Sequence, residues 1–143
     1  MIQNSNHIEI ARPIAHVFEF VAEVNNNPQW MPVQGVQKIS DGVVGKGTKF
    51  KQQFLLMGAH YEMVGVITAF ELHKKISYTF DAPIFNWRGD YLFEPTAHGT
   101  RMSAKGNITL LGPMQMMETM MAPKIRKLIN DTAPQLKKIL ESK

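Results

Sequence analysis

Residues 85–108, FNWRGDYLFEPTAHGTRMSAKGNI, contain the pattern that decides the fold class. Apolar or glycine residues alternate with polar ones in both halves, and this period of two is typical of strands with one buried face. The pair His98-Gly99 between the halves is a turn signal. The stretch therefore predicts two antiparallel strands with one aromatic face and one solvated face. The positions on the aromatic face are Phe85, Trp87, Gly89, Tyr91, Phe93, Met102, Ala104, Gly106 and Ile108.

The same kind of pattern extends upstream to Val33. Short apolar runs are separated by turn pairs such as Asp41-Gly42 and Met57-Gly58, which predicts a meander of about six antiparallel strands. Alternation places Gln52, Phe54 and Tyr78 on the inner face. The run from Tyr61 to Glu71 has apolar residues on both faces, so its inward side stays open.

The N-terminal segment predicts a strand followed by helix. Ile8 and Ile10 alternate with polar residues, and Pro13 occupies the position that proline favours at a helix start. Apolar residues at 14, 17, 18 and 21 form one helical stripe that ends before the polar run 25–28. A second short helix or turn is expected around Trp30.

The C-terminal segment predicts a long helix. Gly112-Pro113 is a helix start, and apolar residues then recur in steps of three or four as far as Ile139. Pro123 and Pro134 lie inside this helix, and each removes a backbone hydrogen bond. We therefore expect kinks or a break at these prolines.

The order of elements favours an α+β fold with an internal space. The aromatic sheet face must be covered, and only the long C-terminal helix is large enough to cover it. The sequence therefore predicts a curved antiparallel sheet of about six to seven strands that wraps around this helix, with two short helices after the first strand. Because Gly65, Gly89 and Gly106 contribute no side chain, we expect space to remain between sheet and helix.

At this level of detail the chain resembles the START-like, polyketide cyclase/dehydrase and lipid-transport superfamily (SRPBCC), which has the helix-grip fold. The resemblance covers nearly the whole chain. It implies a single START-like domain over residues 1–143 and a ligand cavity between the sheet and the terminal helix, without naming the ligand. The segments that carry it are residues 8–21, Trp30, Gly45-Lys46-Gly47-Thr48, Phe93-Glu94-Pro95, Gly99-Thr100-Arg101 and Pro123 to Leu140.

Composition excludes several classes of function. The 143 residues include no cysteine, so disulfides, thiolate metal sites and a cysteine nucleophile are excluded. The five histidines show no metal-ligand spacing, and no nucleotide motif is present, so we expect neither a metal nor a cofactor. The net charge of +4 comes from scattered residues, which argues against a nucleic-acid partner.

The sequence also suggests where the protein is located and whether it forms oligomers. No signal segment is visible, and no apolar run is long enough for stable membrane insertion, so we expect a cytoplasmic protein. A homodimer is possible through an apolar helix face.

The candidate ligand-binding residues come from two regions. Aromatic rings with polar tips on the inner sheet face could hold and orient an apolar ligand. Methionines on the first half of the long helix suit an adaptable apolar surface, and their alternative role is a core or dimer contact. The candidates are Gln52, Phe54, Tyr78, Trp87, Tyr91 and Met102 on the sheet and Met114, Met117, Glu118 and Met121 on the helix.

Glu118 is the one catalytic candidate. It lies four residues after Met114 and three before Met121, so helical spacing puts it on the inward stripe. Burial would raise the pKa of such a carboxyl group and suit it to general acid or base work. The alternative is a rim carboxylate near the helix start. Gln52 is a weaker companion, and Glu62 is one only if the even-numbered residues of its strand face inward.

Three functions follow from these observations. The first is a carrier or sensor for a small hydrophobic ligand, lipid-like or polyaromatic, held between sheet and helix. The second is a cyclase/dehydrase-like enzyme that uses Glu118 and cavity tyrosines, which rests on fold analogy. The third is a chaperone-activator-type interaction domain that docks an acidic partner through Lys124, Arg126, Lys127, Lys137 and Lys138.

Overall fold

The computed structural model describes residues 1–143 and confirms the α+β helix-grip fold. Short helices follow the first strand, and the remaining strands run without interruption to a helical C-terminal region. The strands are β1 (Ile2–Ile10), β2 (Val33–Lys38), β3 (Lys49–Leu56), β4 (Ala59–Glu71), β5 (Lys75–Asp81), β6 (Phe85–Thr96) and β7 (Gly99–Leu110). The α-helices are α1 (Ile14–Ala22), α2 (Asn27–Trp30), α3 (Glu118–Asn130) and α4 (Thr132–Glu141), with 3-10 turns at Val24–Asn26 and Gly112–Met117.

All seven strands form one antiparallel sheet in the order β1-β7-β6-β5-β4-β3-β2. The strands β2 to β7 are the predicted meander, and β1 pairs with the last strand, which places the N-terminal strand beside the strand that leads into the C-terminal helices. The predicted turn at Met57-Gly58 is a two-residue connection between Leu56 and Ala59. Both turn residues have positive φ, 52° and 81°, which suits a tight hairpin.

The inner face of the sheet forms the core together with the helices. Predicted inward positions of β3 and β5, such as Phe50, Phe54 and Phe80, are all buried. From the opposite side, Leu136 and Leu140 of α4 bury almost their entire side chains in the same cluster. The period-two pattern therefore identified the buried face of these strands. None of the helices is both long enough and apolar enough to cross a membrane.

The strand with the open register, β4, changes its inward face partway along. Met63 and Ile67 are buried, so odd-numbered residues face inward in the first part. A bulge between Ile67 and Ala69 then shifts the pairing with β5. Beyond it Phe70 faces inward and packs against Phe18 with ring centroids 5.3 Å apart. The extra residue explains the apolar residues on both faces, and the odd-numbered inward face of the first part leaves Glu62 exposed.

The long C-terminal helical region spans 30 residues, Gly112 to Glu141, and is divided into segments. It opens with a 3-10 turn, and α3 continues through Pro123 without a break. The break falls at Asp131, between α3 and α4. Pro134 lies in the first turn of α4 and has no N–H to donate to the carbonyl of Asn130, which explains why the helix is interrupted here.

Candidate functional site

A small internal space lies between the inner sheet face and the junction of α3 and α4. Its volume is about 30 Å³, which is room for a water molecule or two. The helix side of the lining includes Trp30, Ile129, Thr132 and Ala133. The sheet side includes aromatic, methionine and amide side chains and the aliphatic residues Val33, Ala104 and Ile108. The space is therefore apolar, with a few polar groups at defined positions.

The sheet residues predicted from the sequence all line this space: Gln52, Phe54, Tyr78, Trp87, Tyr91 and Met102. Their rings form a continuous wall. The ring centroids of Tyr78 and Tyr91 are 5.0 Å apart, and those of Tyr78 and Trp87 are 6.0 Å apart. Trp87 in turn meets Phe54 edge-on at 6.2 Å. Together these rings form a wall that a flat apolar molecule could lie against.

The glycines of the sheet do not create the space, contrary to our expectation. A Cβ atom on Gly65 would lie 2.5 Å from the ring of Phe50, and one on Gly89 would lie 2.6 Å from the hydroxyl of Tyr78. Rings of neighbouring residues therefore occupy the volume that a side chain on these glycines would take. The glycines allow aromatic side chains to pack close to the backbone, and they do not account for the internal space.

Two tyrosine hydroxyl groups lie within the lining and interact with each other. Burial raises the pKa of Tyr78 well above its usual value, and the neighbouring Tyr91 adds to this effect. Burial likewise raises the pKa of Tyr91 to about 12, while its hydrogen bond with Tyr78 acts in the opposite direction. Both phenols therefore keep their protons at neutral pH, where they act as neutral hydrogen-bonding groups.

Gln52 and Trp30 supply polar groups that have no partner within the protein. The side-chain oxygen of Gln52 accepts a hydrogen bond of 3.1 Å from Nδ2 of Asn27. Its Nε2 is buried and has no acceptor, and the same holds for Nε1 of Trp30. Both residues line the internal space. The lining residues therefore include two hydrogen-bond donors that have no partner in the protein.

An amide cluster closes the space on the β1 side. Nδ2 of Asn4 and Nδ2 of Asn6 both donate to Oδ1 of Asn130, over 3.0 and 2.8 Å. Both asparagines line the space, and Asn130 is the last residue of α3. The cluster ties the edge strand to the helix next to its break.

Sequence analysis missed this amide cluster and the role of Trp30. The available signal was polarity at inward positions of β1, where Asn4 and Asn6 share the parity of the buried Ile2 and Ile10. Trp30 was noted only as part of a short helix. That its indole N–H lacks a partner depends on three-dimensional neighbours, so it could not be inferred from the sequence.

The ligand-binding residues predicted on the helix do not line the space that the predicted sheet residues line. Met121 is buried in the core, while Met114 is half-buried and Met117 is 39% exposed. None of these methionines lines the space, and neither does Glu118. Instead, the carboxylate of Glu118 is partly exposed and pairs with the amino group of Met1 at 2.5 Å. A catalytic role for Glu118 stays a prediction, with no contact to the lining in its favour.

Two further small spaces adjoin the first and are separated from it only by shared side chains. One, of about 10 Å³, lies beyond Phe54 and Trp87 and extends to Ile125 of α3. The other, of about 30 Å³, lies beyond Tyr78 and Tyr91, toward α1. Aromatic side chains thus divide the interior into compartments.

The outer face of the sheet carries a larger groove of different character. About 700 Å³ of open space lies over residues that are almost all polar, among them Arg88 and Lys105. Ser77 donates a hydrogen bond to Asp90 within it. An open, polar surface of this kind does not suit an apolar ligand.

The basic residues considered for partner docking are partly engaged within the chain. Arg126 donates to the carbonyl of Gln3, and Lys127 pairs with Asp131. Lys137 binds the carbonyl of Glu9 as well as the carboxylate of Glu141. Three of the five cations thus have contacts within the chain, and docking of an acidic partner through these residues stays a prediction.

The comparisons with known proteins agree with this geometry. Residues 1–141 match the family model for polyketide cyclase/dehydrase and lipid transport. A comparison with curated proteins finds no match.

Solved structures share the fold at low sequence identity. A protein from Thermus thermophilus superposes with a TM-score of 0.75 at 15% identity, covering 99% of this chain and 94% of the other. A START superfamily protein from Mycobacterium smegmatis gives a TM-score of 0.73 at 17% identity, covering 99% and 96%. A protein from Chromobacterium violaceum gives 0.73 at 16% identity, covering 97% of each chain. At these identities the likeness concerns the fold alone.

Proposed function

Because the chain belongs to the polyketide cyclase/dehydrase and lipid-transport family, which makes it a hydrophobic ligand-binding domain, we propose that it is a carrier or sensor for one small, uncharged, apolar molecule. The ligand lies between the inner sheet face and the α3–α4 junction. The observation that carries the proposal is the convergence of six sequence-predicted sheet residues on one internal space, where they form the aromatic wall and its polar neighbours. Aromatic walls with few polar groups are typical of small-molecule pockets.

Binding requires the interior to open. A drug-sized ligand occupies several hundred cubic ångströms, far more than the space of about 30 Å³. Methionine is unbranched and flexible, and Met31, Met63 and Met102 all line the space. Their rearrangement, together with rotation of the rings that separate the compartments, supplies the volume. The helix break at Asp131 provides a point where α3 and α4 can move apart.

Binding without turnover is favoured over acid–base catalysis by the titratable groups of the lining. These are Tyr78, Tyr91 and Lys105. The two phenols stay protonated at neutral pH because their pKa values are raised, to about 12 for Tyr91. Lys105 lies on the exposed side of its strand. No carboxylate or imidazole is available in the lining as a general base.

The test is uptake of an apolar probe, with a variant that fills the space. N-phenyl-1-naphthylamine should bind with one-to-one stoichiometry and an increase in fluorescence. In Ala104→Leu, the larger side chain should occupy the space that Ala104 lines. We expect its affinity for the probe to fall by a factor of ten or more. Native mass spectrometry of the purified protein would identify a co-purifying natural ligand.

The matched control is Asn107→Leu, which introduces the same side chain on β7 at an exposed position of the outer face. It should bind the probe like the unmodified protein. Thermal unfolding of both variants checks that each is folded. A protein that takes up no apolar probe, or an Ala104→Leu variant that folds and binds normally, would contradict the proposal.

A further inference from the structure

We propose that the bound molecule carries an uncharged carbonyl oxygen that accepts hydrogen bonds from Trp30 Nε1 and Gln52 Nε2. This inference rests on the proposed binding function and specifies the chemical class of ligand. The observation behind it is that these two buried nitrogens have no acceptor in the protein and belong to residues that line the same space.

The orientation of Gln52 is set by its neighbour on α2. Gln52 is 1% exposed, and its Oε1 is occupied by the hydrogen bond from Asn27. The amide NH₂ group of Gln52 is therefore the part left to face the space. A buried donor without an acceptor destabilises the folded protein, so its retention in a core position calls for a partner that arrives later.

The indole of Trp30 lies on the same short helix as Asn27, three residues further on. Residues at this spacing share one helix face. Trp30 is 4% exposed, and its ring packs against Tyr91 with centroids 5.8 Å apart. The Asn27–Gln52 hydrogen bond thus joins α2 to β3, the two elements that carry the donors.

The chemistry of the donors selects a carbonyl group. The two groups without a partner are both donors, so the matching group on the ligand is an acceptor, and one carbonyl oxygen offers two lone pairs for them. A carboxylate would lose its hydration on burial, and the one cation of the lining, Lys105, lies on the exposed side of its strand, so burial of the charge would be strongly unfavourable. A ketone or a similar conjugated carbonyl only accepts hydrogen bonds. Attached to a flat ring system, it would also lie against the aromatic wall.

The pair of probes that tests this is 9-fluorenone and fluorene, which share one ring system and differ in a carbonyl against a CH₂ group. Equilibrium dialysis should show that the unmodified protein binds fluorenone roughly thirtyfold more tightly than fluorene, the value of about two hydrogen bonds. Trp30→Phe and Gln52→Met should each reduce the ratio of the two affinities by roughly fivefold, the value of about one hydrogen bond, and this ratio is measured within each variant.

A second readout reports the hydrogen bond directly. The chain has two tryptophans, so its ¹⁵N–¹H spectrum shows two indole N–H signals, and Trp30→Phe assigns them. Fluorenone should move the Trp30 signal downfield and fluorene should not. The Trp87 indole lines the same space and is not a proposed donor to the ligand, so its signal reports contact with the ring system of either probe.

The outcomes separate the two proposals. If both probes bind with equal affinity and the Trp30 signal responds equally to each, the carbonyl inference is wrong while the binding function stands. If neither probe nor N-phenyl-1-naphthylamine binds, the binding function itself fails. A loss of fluorenone preference confined to Trp30→Phe would assign the contact to Trp30 and overturn the role of Gln52.

Discussion

The inner face of the sheet and the methionine-rich segment 112–121 both carry predicted ligand residues. Only those of the sheet line the internal space. The segment 112–121 puts Met116 at 92% exposure and Met120 at 59%. In the sheet, each inward side chain is held by strands on both sides. The helical segment has no such frame, so apolar character alone did not decide which way it faces.

The largest effect should come from a pair of methionine substitutions, one in each region. Met102 is 2% exposed, so Met102→Ala removes buried volume and should cost about 2–5 kcal/mol of unfolding free energy. Met116→Ala should change stability by less than about 0.5 kcal/mol because its side chain is already in water. Urea unfolding of both variants measures the difference. Comparable losses would mean that segment 112–121 is packed rather than exposed.

An intermediate effect concerns pH and the tyrosine pair of the inner face. The folded protein holds the pKa of Tyr91 at about 12 instead of 10, and that of Tyr78 is raised as well. Above pH 10 the unfolded chain releases protons that the folded chain retains, which favours unfolding. The contribution of each tyrosine is complete below pH 10. It is lost at up to about 1.4 kcal/mol per pH unit as the pH rises through its folded pKa.

The variant Tyr91→Phe isolates one of these contributions. Its unfolding free energy should fall less steeply between pH 10 and 12 than that of the unmodified protein, because a single raised tyrosine remains. Urea unfolding at several pH values measures the slope. Tyr61, which is only partly buried on β4, provides the matched control Tyr61→Phe. An equal slope in Tyr91→Phe and the unmodified protein would contradict the assignment.

The inward residues of the sheet could be predicted because successive side chains of a strand point to opposite faces. Period-two alternation along the chain was enough to identify the inward residues of β3, β5, β6 and β7. The exception was β4, where a bulge after Ile67 reverses the parity. A bulge depends on pairing with a neighbouring strand, so the sequence shows only its consequence, apolar residues on both faces.

The inward face of the helical segment was harder to predict. An error in the assumed rotation per residue adds up along a helix and changes which residues face the core. The spacing argument assumed 3.6 residues per turn from Met114 onward. The six residues Gly112–Met117 instead form a 3-10 turn with about three residues per turn. The rotation per residue then differs by about 20°, which amounts to roughly a third of a turn over the whole segment. The unpaired donors of Trp30 and Gln52 were hidden for another reason, since they depend on which acceptors are absent nearby.

The smallest effect should come from a substitution of Glu118, which lies in the methionine-rich segment 112–121. Its carboxylate pairs with the amino group of Met1 at the surface and does not line the internal space. Glu118→Gln should therefore change probe affinity by less than about twofold, and its loss of a surface ion pair should cost less than about 1 kcal/mol. Fluorescence titration with N-phenyl-1-naphthylamine and urea unfolding provide the two readings. A large loss of affinity, with stability intact, would mean that α3 moves on binding and brings the methionine-rich segment to the ligand, as the helical spacing first predicted.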